Sequence, residues 1–270
     1  MCARKRKSTP GPYLLHMEVL RDRIAEPERF PFNLPAVRGL SVLPFHPKVT
    51  FLVGENGAGK STLLEAIAVA YGLNAEGGSV NFNFATLATH SPLGECIRLA
   101  KALTRPRDSY FLRAESFYNV ATEIERLDQG PGGGGPPIID AYGGRSLHEQ
   151  SHGESFFALF KNRFGGNGLY LLDEPEAALS PTRQVEFLVL MHDYIRRGGQ
   201  FVIATHSPII MAYPDARIHL LDRQGIRDVA YTDTEHYQVT RRFLSDPPRS
   251  LKTLLGDEPE GEPDAQSDGG

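Results

Sequence analysis

Apolar residues along the chain fall into two kinds of run. Val49-Thr50-Phe51-Leu52-Val53, Leu169 to Leu172 and Phe201 to Ala204 are short and nearly continuous, and each stops at a glycine or a polar residue. Runs of that length and composition predict strands buried on both faces. Tyr13 to Leu20, Gly39 to Phe45, Asn81 to Phe84 and Tyr110 to Arg113 predict further strands. Ile218 to Leu221 and Ile226 to Tyr231 flank Arg223-Gln224-Gly225 and predict a hairpin. The second kind repeats at helical spacing. Leu63, Leu64, Ala66, Ile67, Ala70 and Tyr71 predict a helix from Lys60 to the stop at Gly72. Similar spacing predicts helices over Gly94 to Thr104, Val120 to Asp128, Phe156 to Phe160, Pro181 to Arg197 with Ser180 as N-cap, and Thr234 to Leu244. Strands alternating with helices predict an α/β fold whose sheet is mainly parallel.

Two stretches resist that reading. Residues 130–137 are glycine and proline throughout, a composition that holds neither helix nor central strand and predicts a surface loop. The ends are polar: Arg4-Lys5-Arg6-Lys7 in a basic tail over residues 1–12, and an acidic Gly- and Pro-rich segment within 246–270 that follows the end of the last helix. The domain expected between them spans residues 13–245, with an irregular helical insert at about 73–165.

The net charge of -4 gives no global basic field aimed at nucleic acid. Arg98, Lys101, Arg105 and Arg107 cluster in the insert, either as a phosphate-binding patch or as a solvated helix face. Cys2 and Cys96 lack metal-ligand spacing and fit a reduced, cytoplasmic protein. No apolar run approaches the ~18 residues a membrane helix needs, so no membrane insertion is expected.

Four segments carry candidate chemistry. Gly54-Glu55-Asn56-Gly57-Ala58-Gly59-Lys60-Ser61 matches G-x-x-x-x-G-K-[ST], with a strand before it and a helix after it. Its glycines let backbone N–H groups converge on a phosphate, and the helix N-terminus adds positive potential. Lys60 is expected at the β/γ-phosphates, Ser61 on Mg²⁺, and Thr62 at the α-phosphate. The strand ending at Asp173 delivers a carboxylate to the sheet's C-terminal edge, where it can hold Mg²⁺, and Glu174 follows, placed to orient or deprotonate a water. A third strand ends in Ala204-Thr205-His206-Ser207, placing His206 at the same edge. Ser151-His152-Gly153-Glu154-Ser155 opens a helix, either as an ordinary cap or as an anion-binding surface.

The order of these segments resembles the ATP-binding cassette (ABC) ATPases: Walker A at 54–61, signature at 151–155, Walker B at 168–174, D-loop at 177–180 and switch histidine at 206. The likeness covers most of residues 13–245. It implies the P-loop NTPase ABC-ATPase fold, a mostly parallel central sheet with antiparallel strands and a helical insert. It also implies ATP as substrate with Mg²⁺, catalysis by Lys60, Glu174 and His206, and an ATP-dependent head-to-tail homodimer. In that dimer Ser151, His152, Gly153, Glu154 and Ser155 of one copy would cap the nucleotide held by the other.

SHGES in place of the transporter-type LSGGQ, together with ATHSP at the switch, looks like the DNA-repair and overcoming-lysogenization-defect type of ATPase. The segments FLRAESFYNVATEI (111–124) and GGRSLHEQSHGESF (143–156) look like a compact bacterial group of ABC-type or AAA-family ATPases. This implies a conformational switch outside transport, in DNA repair or defence, acting on nucleic acid or a protein partner. The alternatives are a transporter's nucleotide-binding subunit and a regulatory ATP-binding module with little hydrolysis. One departure stands out. No glutamine lies between Thr62 and Asp128 to form a Q-loop; Arg113, Glu115 and Asn83 are the candidate substitutes, with the end of the 110–113 strand favoured.

Overall fold

The structure is a computed structural model that describes residues 12–79, 91–114, 117–128, 137–146, 148 and 152–256. The strand expected at 81–84, the loop at 130–137 apart from Pro137, Glu115, Asn83, Ser151 and both tails apart from Pro12 and residues 246–256 lie outside the described residues.

Among the described residues, ten strands fall into two sheets. The larger has seven strands in the order β10-β9-β3-β8-β7-β6-β4. In chain order these are β3 (Val49–Gly54), β4 (Gly78–Ser79), β6 (Asp108–Arg113), β7 (Gly168–Asp173), β8 (Gln200–Ala204), β9 (Arg217–Asp222) and β10 (Gly225–Asp228). The five central strands run parallel, and the edge strands β4 and β10 are antiparallel to their neighbours. The smaller sheet, β2-β1-β5, is antiparallel and comprises β1 (Leu14–Val19), β2 (Val42–Pro44) and β5 (Ile97–Lys101).

Period-two alternation divides the core. Val49, Phe51 and Val53 of β3, Tyr170 and Leu172 of β7, and Phe201 and Ile203 of β8 enter one cluster. That face is covered by helices α4 (His152–Arg163) and α5 (Pro181–Arg196), with residues of α3 (Phe117–Asp128) and α6 (Pro208–Met211). Leu52, Leu171, Val202 and Ala204 enter the other cluster, with α1 (Pro35–Arg38), α2 (Lys60–Tyr71) and the small sheet. Both faces are covered, so the central strands read as unbroken apolar runs. The Gln200 side chain joins the two sheets. Its Oε1 accepts from the amides of Tyr13 (2.7 Å) and Leu14 (2.8 Å), and its Nε2 donates to Leu14 O (2.9 Å) and His46 O (3.0 Å).

The helix expected over Gly94 to Thr104 is not formed. A short 3-10 turn at Pro92–Cys96 leads into β5, which pairs with β1. Apolar residues in this stretch sit at spacings that suit either element, and β1 offers an open edge for pairing. Arg98 and Lys101 therefore lie on a strand rather than a helix face. Arg98 pairs with Glu18, and the Lys101 ammonium sits 4.4 Å from the Tyr71 ring centroid. The second hairpin strand stops at Asp228, and Tyr231 begins a 3-10 turn. Past α7 (Glu235–Ser245), Asp246 caps an additional helix, α8 (Pro247–Leu255), its Oδ1 accepting from the Arg249 amide at 3.1 Å. Among the described residues no helix is long and apolar enough to cross a membrane.

Candidate functional site

The parallel strands β3, β7 and β8 all end at one edge of the sheet, and the candidate residues lie on or just beyond those ends. That is where open α/β sheets place their ligands. The loop after β3 is shaped by glycine. Gly54 has φ +153°, and a Cβ there would lie 2.2 Å from Leu221 O on β9. Gly59 takes the left-handed conformation as N-cap of α2, and among the described residues no side chain caps that helix. The first-turn amides of α2 therefore remain available to an anion. Lys60 is buried, with its Nζ donating to Gly54 O and Glu55 O at 3.0 Å each. Burial pushes the Lys60 ammonium below its usual range, and the carboxylates of Glu174, Asp173 and Glu176 oppose that shift. Glu55, Asn56 and Gly57 are exposed, Ala58 is half-buried, and Ser61 and Thr62 are half-buried on the first turn of α2.

Ser61 Oγ donates to Asp173 Oδ1 at 2.9 Å. These two hard oxygens at the mouth of the phosphate loop suit a divalent cation that completes its shell with phosphate and water oxygens. Among the described residues no group of three or more His, Cys, Asp or Glu side chains forms a metal cluster. Arg113, at the end of β6, lies with Nε 3.6 Å from Asp173 Oδ2 and Nη1 3.0 Å from Glu65 Oε2. Glu65 stands one turn after Ser61 on α2, so Arg113 bridges α2 and the end of β7.

Glu174 occupies a left-handed conformation at φ 50°, ψ 53°, which a non-glycine residue adopts at some cost. Its amide still donates to Ala204 O at 2.9 Å, so the turn begins while β7 and β8 are paired. The turn directs the Glu174 carboxylate to His206, with Oε1 3.5 Å from Nε2. His206 is held from two further sides. Its amide donates to Glu176 Oε1, and its Nδ1 lies 3.1 Å from Nε2 of His236 on α7. Burial, with Lys60 nearby, pulls the His206 imidazole below its usual range. Burial also raises the Glu176 carboxyl, against the hydrogen bond it accepts from the His206 amide.

At the start of α4, Gly153 packs against the D-loop: a Cβ there would lie 3.3 Å from Ala178 O. Glu154 is exposed, whereas Ser155 is buried. His152 opens α4.

Sequence reasoning brought Lys60, Ser61, Asp173, Glu174 and His206 to one edge, and the structure does the same. It missed Glu65, Glu176 and His236. Glu176 sits three residues after Asp173 and could have been suspected from that spacing; Glu65 and His236 carried no motif.

Two family profiles match the chain. One described as "AAA domain" covers residues 33–107, which include the phosphate loop. One described as "AAA domain, putative AbiEii toxin, Type IV TA system" covers residues 142–212, from before the α4 start to beyond His206. The cytochrome c biogenesis ATP-binding export protein CcmA of Rhizobium meliloti is 30% identical over 58% of this chain and 77% of its own length. The ribose import ATP-binding protein RbsA of Yersinia pestis is 30% identical over 84% of this chain, which spans 46% of that relative. A dimeric bacterial ABC transporter cassette superposes with a TM-score of 0.41 at 15% identity, covering 70% of this chain and 88% of that one. The chain belongs to the ABC-type P-loop ATPases.

Proposed function

We propose that the protein binds ATP at residues 54–62 and hydrolyses it within a head-to-tail homodimer, which works as a conformational switch. The observation that carries this reading is the convergence of Lys60, Ser61, Asp173, Glu174 and His206 on one sheet edge. In this reading the backbone of Gly54 to Gly59 and the first turn of α2 cradle the phosphates. Lys60 exchanges its loop carbonyls for the β/γ-phosphate oxygens, and Thr62 lies by the α-phosphate. Ser61 and Asp173 would hold Mg²⁺, which would supply positive charge to offset that of the phosphates. Glu174 accepts a proton from, or orients, the attacking water, and His206 donates Nε2–H to the γ-phosphate or that water.

In the dimer, the start of α4 caps the nucleotide of the second copy. Gly153 and exposed Glu154 are its described surface, and buried Ser155 anchors the turn behind them. Arg113 takes the place of the missing glutamine as the side chain linking β6 to the cation site. A role outside transport, in repair or defence, is supported by SHGES and ATHSP. The second reading, a transporter's nucleotide-binding subunit, draws on CcmA and RbsA, whose names place them in export and import.

The test is Glu174→Gln. The variant should bind ATP with affinity near that of the parent, hydrolyse it at least 100-fold more slowly, and run as a dimer by light scattering with ATP and Mg²⁺. A variant that binds ATP yet stays monomeric would reject the sandwich. Retained hydrolysis would reject the role given to Glu174.

A further inference from the structure

The His206 ring is held by a residue that lies outside every motif of the site. His236 Nε2 is 3.1 Å from His206 Nδ1, and the rings lie 5.3 Å apart between centroids. The position of His236 is set by a chain of contacts. Thr234 is fully buried and caps α7, its Oγ1 accepting from the Tyr237 amide (3.3 Å) and donating to Tyr231 O (2.7 Å). The Tyr231 hydroxyl donates to Pro208 O at 2.9 Å, two residues beyond His206. The first turn of α7 is thereby tied to the segment that carries His206.

Which ring carries the shared proton follows from the two outer nitrogens. His206 Nε2 and His236 Nδ1 are buried, and neither has a hydrogen-bond partner among the described residues. If His206 Nδ1–H donated to His236, a lone pair on His206 Nε2 would face the Glu174 carboxylate. His236 would also bury an Nδ1–H with no acceptor. If His236 Nε2–H donates to His206, a donor faces the carboxylate instead, and the unpartnered atom is only an acceptor lone pair. An unmet buried donor costs about 1–3 kcal/mol, so both ends favour the second arrangement.

We propose that His236 is a positioning residue that donates Nε2–H to His206 Nδ1 and so holds the His206 ring as its Nε2–H tautomer, aimed at Glu174 and the nucleotide. His236 does not touch the reacting atoms; it acts through His206. The consequence for turnover rests on the hydrolytic role given to His206 above, while the tautomer itself does not. The device places α7 in contact with the chemistry, so displacement of α7 would release the His206 ring.

The experiment compares the parent with His236→Gln, whose amide Nε2 can replace the donor, and His236→Phe, which fills the space without one. Nitrogen-15 NMR of the histidine rings at pH 7.5 reads the tautomer directly. Expected are an unprotonated Nδ1 and a protonated Nε2 on His206 in the parent and in His236→Gln, and a tautomer mixture in His236→Phe. ATPase assays should show kcat reduced about tenfold or more in His236→Phe with KM for ATP within twofold, and recovery to within threefold in His236→Gln. An unchanged His206 tautomer in His236→Phe, or equal losses in both variants, would overturn the proposal. Should a folded parent lack ATPase activity while the tautomer still depends on residue 236, hydrolysis would fail as the function and the positioning role would stand.

Discussion

Ser61 Oγ and Asp173 Oδ1 are 2.9 Å apart although 112 residues separate them in the chain. The contact exists because β3 and β7 flank β8 in a parallel sheet and end together. The helix after β3 therefore begins beside the last residue of β7. Most of the local chemistry is organised around this pair. Lys60 lies one residue before Ser61, Glu174 follows Asp173, and Arg113 reaches Asp173 from β6.

Removing Lys60 should abolish tight nucleotide binding. The ammonium is buried and already hydrogen-bonded to loop carbonyls, so it is positioned before any phosphate arrives. Loss of charge-assisted bonds worth about 3 kcal/mol corresponds to roughly 100-fold in affinity. Calorimetric titration of Lys60→Ala with ATP and Mg²⁺ should show that loss, and parental affinity would refute the site.

Gly54→Ala should damage both the fold and the loop. Its Cβ would meet Leu221 O at 2.2 Å, a backbone atom of the neighbouring strand, at a φ that side chains disfavour. Separating β3 from β9 should cost ~3 kcal/mol or more, comparable to other backbone strain and packing defects. Urea unfolding gives the measurement, and a midpoint equal to the parent's would contradict the close approach.

Arg113→Ala leaves Glu65 and Asp173 without the guanidinium between them. Loss of this partly buried cation should lower stability by about 2 kcal/mol. Mg²⁺ alone should then raise the melting temperature of the variant more than that of the parent, because the cation relieves carboxylate repulsion. An equal Mg²⁺ effect on both proteins would count against the two-carboxylate geometry.

Stability should fall as pH drops below about 6.5. Burial lowers the imidazoles of His46, His206, His219 and His236 from the ordinary value of 6.5. The folded state favours their neutral forms. Their contribution is present above 6.5 and is lost as pH falls from there through the lowered folded values, because the unfolded chain takes up protons first. Glu176, raised by burial from 4.5, works in the opposite sense: its contribution is lost as pH rises through its folded value. Four groups against one set the direction. Urea midpoints at pH 7.5 and 5.5 should differ accordingly; a flat or rising profile toward acid would contradict it.

Much of the sheet was legible locally. An unbroken apolar strand such as Val49–Val53 can be buried on both faces only between covering layers, and the glycines before Lys60 permit the positive φ values that the loop adopts at Gly54, Gly57 and Gly59. The stretch from 94 to 104 was not legible, because its apolar spacing suits helix or strand and only the free edge of β1 selects the strand. The same distinction holds at the site. Asp173, Glu174 and His206 could be read because they stand at strand ends, and Lys60 and Ser61 because they open the helix after the phosphate loop, so local pattern sends them to one edge.

Glu65 and His236 belong to no such pattern, and only the three-residue spacing from Asp173 pointed to Glu176. Glu65 reaches Arg113 only once β6 lies beside β7, and His236 reaches His206 only once α7 folds back across α6. The sequence by itself determined the phosphate loop, the strands that deliver the acids and the histidine, and the class of chemistry they can perform. The tertiary structure alone decided which side chains steady them, because those contacts join residues whose separation along the chain carries no period and no shared element.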